Sequence, residues 1–111
     1  MNVVTLRGTL SQEPQQRELA SGSVMLQLDV TTPVGAGVAT VPVVWLDPPA
    51  AATFVAGDEV VVVGAVRRRF FRAGGATQSR TEVLAESVIK SSQRRRAATL
   101  LAQAVAQIEG G

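Results

Sequence analysis

The chain has 111 residues, a net charge of +2 at pH 7, 46% apolar and 18% charged residues, which fits one folded domain and not two. It contains no cysteine, histidine or tyrosine, so disulfides, thiolate or imidazole metal ligands and histidine-based catalysis are excluded. We therefore expect a protein that is not an enzyme and uses no cofactor or metal. No apolar run reaches the ~18 residues of a membrane span, so we expect a cytoplasmic protein without a membrane partner.

Alternating and β-branched residues predict strands through most of the first 90 residues. The predicted strands cover residues 3–10 with a continuation at 17–19, then 24–31, 39–46, 59–72 and 77–89. Loops rich in glycine and proline separate them, and the glycines of residues 73–76 favour a tight hairpin. About five strands of this kind are typical of a small barrel or sandwich.

A short helix is predicted between the third and fourth long strands. Asp47 is a suitable N-cap, Pro48 suits the first turn, and residues 50–54 allow about one and a half turns. The element ends at Gly57 and Asp58, where the next strand begins.

The last part of the chain predicts an amphipathic helix over residues 93–108, capped by Ser91 or Ser92. Its apolar side chains recur at steps of three and four residues, at Ala97, Leu101, Ala104, Val105 and Ile108. Its first turn holds Arg94, Arg95 and Arg96, where the helix dipole disfavours positive charge. The two interpretations left open are an anion bound at these arginines and a solvated, mobile connector.

Positive charge is concentrated in one segment of the chain. Residues 67–96 hold eight of the ten arginines and the single lysine, against two glutamates, whereas residues 1–66 are net acidic. A basic segment of this density is the electrostatic footprint of a polyanionic partner. The alternative is a solvated arginine-rich surface without a partner.

The fourth long strand suggests what that polyanion is. Alternation places Arg67, Arg69 and Phe71 on one face of the strand. The other face carries Val60 and Val66 together with Arg68, Phe70 and Arg72, and in the lower half of the strand this second face points to the core. Arginines neutralise phosphates while an aromatic ring stacks on an unpaired base, which suits single-stranded nucleic acid. The alternative is that Phe71 caps the core and the arginines protect an edge strand.

Several motifs in order resemble the bacterial single-stranded DNA-binding protein family, which has an OB-fold. They lie at residues 2–10, 14–17, 21–22, 43–46, 57–69 and 81–88. The resemblance implies an all-β, five-stranded OB-fold barrel over residues 1–90, followed by a basic connector and an amphipathic helix over residues 91–111. It also implies sequence-independent binding of single-stranded DNA in replication, repair or recombination, close to the nucleoid.

The same resemblance assigns candidate site residues. Arg17, Arg67 and Arg69 match phosphate-contacting positions, and Phe71 matches a stacking aromatic. Trp45 is a possible substitute for a second aromatic, beside Leu46. Apart from the resemblance, Arg7 and Arg80 are plausible extensions of the groove, and the position of Arg94, Arg95 and Arg96 at a helix start makes them candidates to extend the nucleic-acid path beyond the barrel. The family pairs its subunits through the first strand, so we expect a homodimer or homotetramer.

Departures from the family keep other functions open. The loop after the second long strand is short and uncharged, Thr40 stands where the family has an aromatic, and the family's acidic tail is absent. We therefore expect a divergent, tail-less member with weakened stacking. The alternatives are a primosomal accessory OB protein that also contacts other replication or repair proteins, an oligomeric assembly module that has lost most DNA affinity, and an RNA-binding OB module.

Overall fold

Six strands and one helix form the part of the chain that the computed structural model describes, residues 1–49 and 53–110. In chain order they are β1 (Val4–Leu10), β2 (Gln15–Glu18), β3 (Val24–Val34), β4 (Gly37–Leu46), β5 (Glu59–Ala73), β6 (Ala76–Lys90) and α1 (Arg94–Gly110). The predicted strands are confirmed, with β3 and β4 longer than expected because a two-residue turn at Gly35 and Ala36 joins them directly.

The sheet closes into a barrel. Its strand order is β1-β5-β6-β4-β3-β2, and β1 also pairs with β3, through Thr9 opposite Thr31 and Leu10 opposite Val30. The β4–β6 pair is parallel, and β2 adds to the edge of β3 outside the closed ring. The expected five-stranded, OB-like barrel with a C-terminal helix is therefore confirmed.

Alternate side chains of the five barrel strands fill the interior. Leu10, Leu28, Val30, Val43 and Val62 are among its most deeply buried members. β1 crosses β3 so closely that a Cβ on Gly8 would lie 2.3 Å from the carbonyl oxygen of Thr31. Closure therefore depends on a glycine at this position.

Helix α1 packs against the outside of the barrel. Ala97, Leu100 and Ala104 are buried against Val61, Val63 and Ile89 of β5 and β6. The predicted helix is confirmed, but three members of its predicted apolar stripe stay exposed, namely Leu101, Val105 and Ile108.

The cap of α1 differs from the prediction. The backbone N–H of Ser91 donates to the carbonyl oxygen of Glu59 at 2.9 Å, so the chain is still bonded to β5 one residue after β6 ends. The helix therefore begins two residues later than a Ser91 cap requires and one residue later than a Ser92 cap requires, and the carbonyl of Gln93 accepts its first hydrogen bond from Ala97.

The short helix predicted for residues 50–54 falls mostly on residues 50–52, which lie outside the described residues. Residues 53 and 54 are not helical. The carboxylate of Asp47, the predicted N-cap, instead accepts a hydrogen bond from the backbone N–H of Val24 at 2.9 Å and closes the end of the β3–β4 pair.

Beyond the barrel, β5 and β6 continue as a two-stranded ribbon. β1 accompanies β5 only as far as Gly64, and β4 accompanies β6 only from Val83. Between Gly64 of β5 and Val83 of β6, the two strands pair only with each other among the described strands. They are joined by a turn at Gly74 and Gly75, both with positive φ. We call residues 66–73 and 76–82 the ribbon. It carries the candidate site residues Arg67, Arg69, Phe71 and Arg80.

Candidate nucleic-acid interface

One face of the ribbon gathers arginines around a buried carboxylate. Register places Arg67 opposite Glu82 and Arg69 opposite Arg80, and directly opposed residues share a face. The Glu82 side chain is fully buried. We call Arg67, Arg69, Phe71, Arg80 and Glu82 the Glu82 face.

Glu82 holds two of these arginines in place. Arg67 donates from Nε to Oε2 at 3.0 Å, and its Nη2 lies 2.9 Å from the same oxygen. Arg69 donates from Nη2 to Oε1 at 3.4 Å. Arg80 is more distant, with its Nε 3.9 Å from Oε1. Three guanidinium groups thus share one carboxylate, which leaves the face with an excess of two positive charges.

Phe71 lies beside the arginines on the same face. The guanidinium carbon of Arg69 is 5.4 Å from the centre of the Phe71 ring, within the range of a cation–π contact. The ring is half-buried. A phosphate-binding group and a stacking surface therefore lie next to each other, as the sequence predicts for this parity.

The Glu82 face continues across the outside of the barrel. Glu82 and Leu84 lie on the same side of β6, and Leu84 is opposite Val44. Val44 is opposite Gln27 on β3, which shares its side with Met25, and Met25 is opposite Arg17. Arg17 and the ribbon arginines therefore lie on one continuous outer surface of the sheet, at its two ends.

Trp45 lies on the other side of the sheet. It belongs to the barrel core, and its ring is 6.3 Å from that of Phe54 at an angle of 57°. The structure does not bring Trp45 together with the arginines, because the parity of β4 turns it inward while Val44 and Leu46 face out.

Arg7 and the helix arginines form a separate basic region at the far end of the barrel. Arg7 is opposite Val61 on β5. Because Val61 lies six residues before Arg67 on that strand, Arg7 is about 20 Å from Arg67 along the strand direction. It lines one groove with Arg94 and Lys90, and Arg95 and Arg96 are exposed nearby in the first turn of α1.

Carboxylates of the described residues pair with two of the five basic side chains of this second region, Arg7 and Lys90. The Nη2 atom of Arg7 lies 2.8 Å from Oε1 of Glu59, and Nζ of Lys90 lies 3.6 Å from Oδ2 of Asp58. The hydrogen bond from Arg7 lowers the pKa of Glu59 below its ordinary value, because it stabilises the charged carboxylate. Arg7 is thus paired with Glu59 rather than with the ribbon.

The opposite face of the ribbon is more exposed than the sequence suggests. Val66 and Phe70 share the parity of the buried Val60, yet both are exposed. The parity itself is as predicted, but the pairing of β1 with β5 ends at Gly64, and beyond that point these side chains are exposed. Arg68 and Arg72 have the same parity, and burying an unpaired guanidinium in a core is highly unfavourable. These two arginines are therefore the sequence signal for where the barrel interior ends.

The chain matches no family model and no curated protein. The resemblance to single-stranded DNA-binding proteins therefore stays a prediction from the motifs. Among residues 1–49 and 53–110, no helix combines the length and the apolar content needed to cross a membrane.

Proposed function

We propose that the protein binds single-stranded DNA without sequence preference and without catalysis, by phosphate neutralisation and limited base stacking. The observation that carries the proposal is the convergence of Arg67, Arg69 and Arg80 beside Phe71 on an OB-like barrel. Arginines held in fixed positions favour phosphate oxygens, and a half-open ring next to them favours an unpaired base over a duplex.

The path of the strand follows from the continuous outer surface. Phosphates contact the ribbon arginines at one end and Arg17 at the other, and the strand crosses the outer side of β6, β4 and β3 between them. Bound phosphates share the arginines with Glu82, so the affinity is moderate and strongly dependent on salt. Such a protein would act on the nucleoid during replication, repair or recombination.

Titration of the full chain with labelled dT, rU and duplex oligomers at several salt concentrations tests the proposal. We expect dT to bind more tightly than the duplex. The double variant Arg67→Ala/Arg69→Ala should lower the salt slope by roughly 0.7 for each phosphate that it no longer neutralises. Phe71→Ala should weaken binding by about 1–3 kcal/mol with little change in slope. Wild-type binding by both variants would contradict the proposal, and tighter binding of rU would assign the site to RNA.

The helix arginines extend this path in the proposal, since no carboxylate of the described residues lies within 4.0 Å of them. Truncating the chain after Ser92 would uncover Val61, Val63 and Ile89, so substitution is the cleaner test. The triple variant Arg94→Ala/Arg95→Ala/Arg96→Ala should reduce affinity and salt slope while the fold is kept. An unchanged slope would limit the interface to the sheet and the ribbon.

A second candidate function is assembly, and the exposed stripe of α1 favours it. Leu101, Val105 and Ile108 follow one another at steps of four and three residues and remain exposed. We propose that a second copy of the chain covers this stripe and forms a homodimer or homotetramer. Sedimentation should show a species larger than 11.6 kDa, and Val105→Glu should convert it to the monomer. A monomeric wild type would overturn this proposal without affecting DNA binding.

A further inference from the structure

Phe70 is unusually open for an aromatic side chain. It is 66% exposed, whereas Trp45 lies in the core, Phe54 packs against it, and Phe71 is covered in part by Arg69. Exposing a large apolar ring to water is unfavourable, so a partner that covers this ring would gain free energy by burying it.

The residues around Phe70 carry positive charge without acidic partners. Arg68 and Arg72 flank the ring on the same face, each about 7 Å along the strand. Within residues 1–49 and 53–110, no carboxylate lies within 4.0 Å of either guanidinium. One nitrogen of Arg72 donates to the carbonyl of Gly75 at 3.1 Å, which fixes that side chain near the turn.

The partner strand supplies hydroxyl groups to the same face. Register places Thr81 opposite Arg68, Ser79 opposite Phe70 and Thr77 opposite Arg72, and all three are exposed. Hydroxyl and guanidinium groups are the side chains that bind phosphate oxygens. We call Arg68, Phe70 and Arg72, with these three hydroxyl residues, the Phe70 face.

The two faces of the ribbon differ in their charge balance. On the Glu82 face the arginines are already paired with a carboxylate, and the ring is half-covered. On the Phe70 face the arginines have no acidic partner among the described residues, and the ring is open. A protein partner for such a face would need acidic groups around an aromatic pocket, whereas a single nucleic-acid strand supplies phosphates and a flat base together.

We infer that the Phe70 face is a second single-stranded nucleic-acid contact, in which a base stacks on Phe70 and its neighbouring phosphates contact Arg68 and Arg72. The bound strand then touches both sides of the ribbon. This inference rests on the proposed function, and it adds to it a stacking residue that the motifs do not assign.

The experiment gives the second face its own optical signal. The only native tryptophan, Trp45, is buried, so Phe70→Trp places a solvent-exposed fluorophore on the ribbon. Binding of a dT oligomer should quench this new emission. Val55→Trp is the matched control, because Val55 is 53% exposed and lies beside Asp58, before the start of β5. Its emission should not change.

Affinity measurements complete the test. Phe70→Ala should weaken binding of dT about 5- to 150-fold, the loss expected for one stacked base, while Phe70→Trp should bind as well as wild type. Arg68→Ala/Arg72→Ala should lower the salt slope. The emission of Trp45 shows whether each variant keeps its core.

The outcomes separate the two proposals. A wild-type chain that does not bind dT overturns the proposed function and this inference with it. The inference alone is overturned if the wild-type chain binds dT but Phe70→Trp shows no quenching and both Phe70→Ala and Arg68→Ala/Arg72→Ala bind with native affinity. The Phe70 face would then serve a different partner.

Discussion

The two halves of β5 follow the same alternation and have opposite surroundings. In the lower half, Val60 and Val62 enter the barrel core while Val61 and Val63 lie under α1. In the upper half, Val66 still exchanges two hydrogen bonds with the side chain of Asn2, and beyond it residues 67–73 pair only with β6 among the described strands. The strand therefore becomes available to a ligand at the point where the barrel and the helix stop covering it.

Gly64 marks the boundary between the halves, and replacing it gives the largest expected effect. A Cβ at this position would lie 2.2 Å from the carbonyl oxygen of Leu84, which is backbone and cannot move aside. Gly64→Ala should therefore lower the free energy of unfolding by about 2–3 kcal/mol, measured by denaturant titration followed through Trp45 emission.

Gly37→Ala is the control for that measurement. Its φ is not positive, and the nearest atom to an added Cβ is 3.9 Å away, so stability should change by about 0.5 kcal/mol or less. Equal stability of the two variants would show that β5 and β6 are less tightly joined at Gly64 than the structure indicates.

Glu82→Gln tests the role of the buried carboxylate in the upper half of β5 and its partner strand. The substitution keeps the shape of the side chain and removes the charge that Arg67 and Arg69 share. We expect a loss of about 1–3 kcal/mol in stability, since the part-buried arginine donors lose a charged acceptor. We also expect tighter binding of dT and a steeper salt slope, because the arginines no longer divide themselves between carboxylate and phosphate.

Glu86→Gln is the matched control, since Glu86 is exposed on the same strand. It should change stability and salt slope little. Weaker binding in Glu82→Gln than in Glu86→Gln would mean that Glu82 helps binding by positioning the arginines, and the competition described above would be wrong.

The smallest expected effect lies at the lower end of β5, at the Arg7–Glu59 pair. The pair is exposed, so its stabilisation is slight. The pKa of Glu59 is lowered from 4.5, so the pair's contribution is present above that pH and is lost as the pH falls through the lower value in the folded state. The difference in melting temperature between wild type and Arg7→Ala should therefore shrink below pH 4.5. A difference that grows in acid would contradict this assignment.

Much of the fold is predictable from residue patterns. The valines of β5, the alternation in β3 and the glycines at the ribbon turn each specify local structure, and together they indicate the barrel. The shared face of Arg67, Arg69 and Phe71 also follows from alternation alone.

The remaining features depend on packing between distant segments. The exposure of Phe70 depends on where β1 and β4 stop, which its own neighbours in sequence do not encode. The burial of Glu82 arises because three arginine side chains fold over it. The start of α1 is delayed by a hydrogen bond between Ser91 and Glu59, residues 32 positions apart. Local secondary-structure propensities do not predict any of these contacts.

The pairing of β1 with β5 also constrains how the chain emerges from the ribosome. The paired residues are 50 to 60 positions apart, from Thr9 opposite Glu59 to Val4 opposite Gly64. A nascent chain therefore cannot close the barrel until β5 has been synthesised. The valines of β5 then stay uncovered until β6 and α1 have also been synthesised. During that interval an apolar, β-prone segment is without its partners, which makes this stage of synthesis the one most open to aggregation and to chaperone binding.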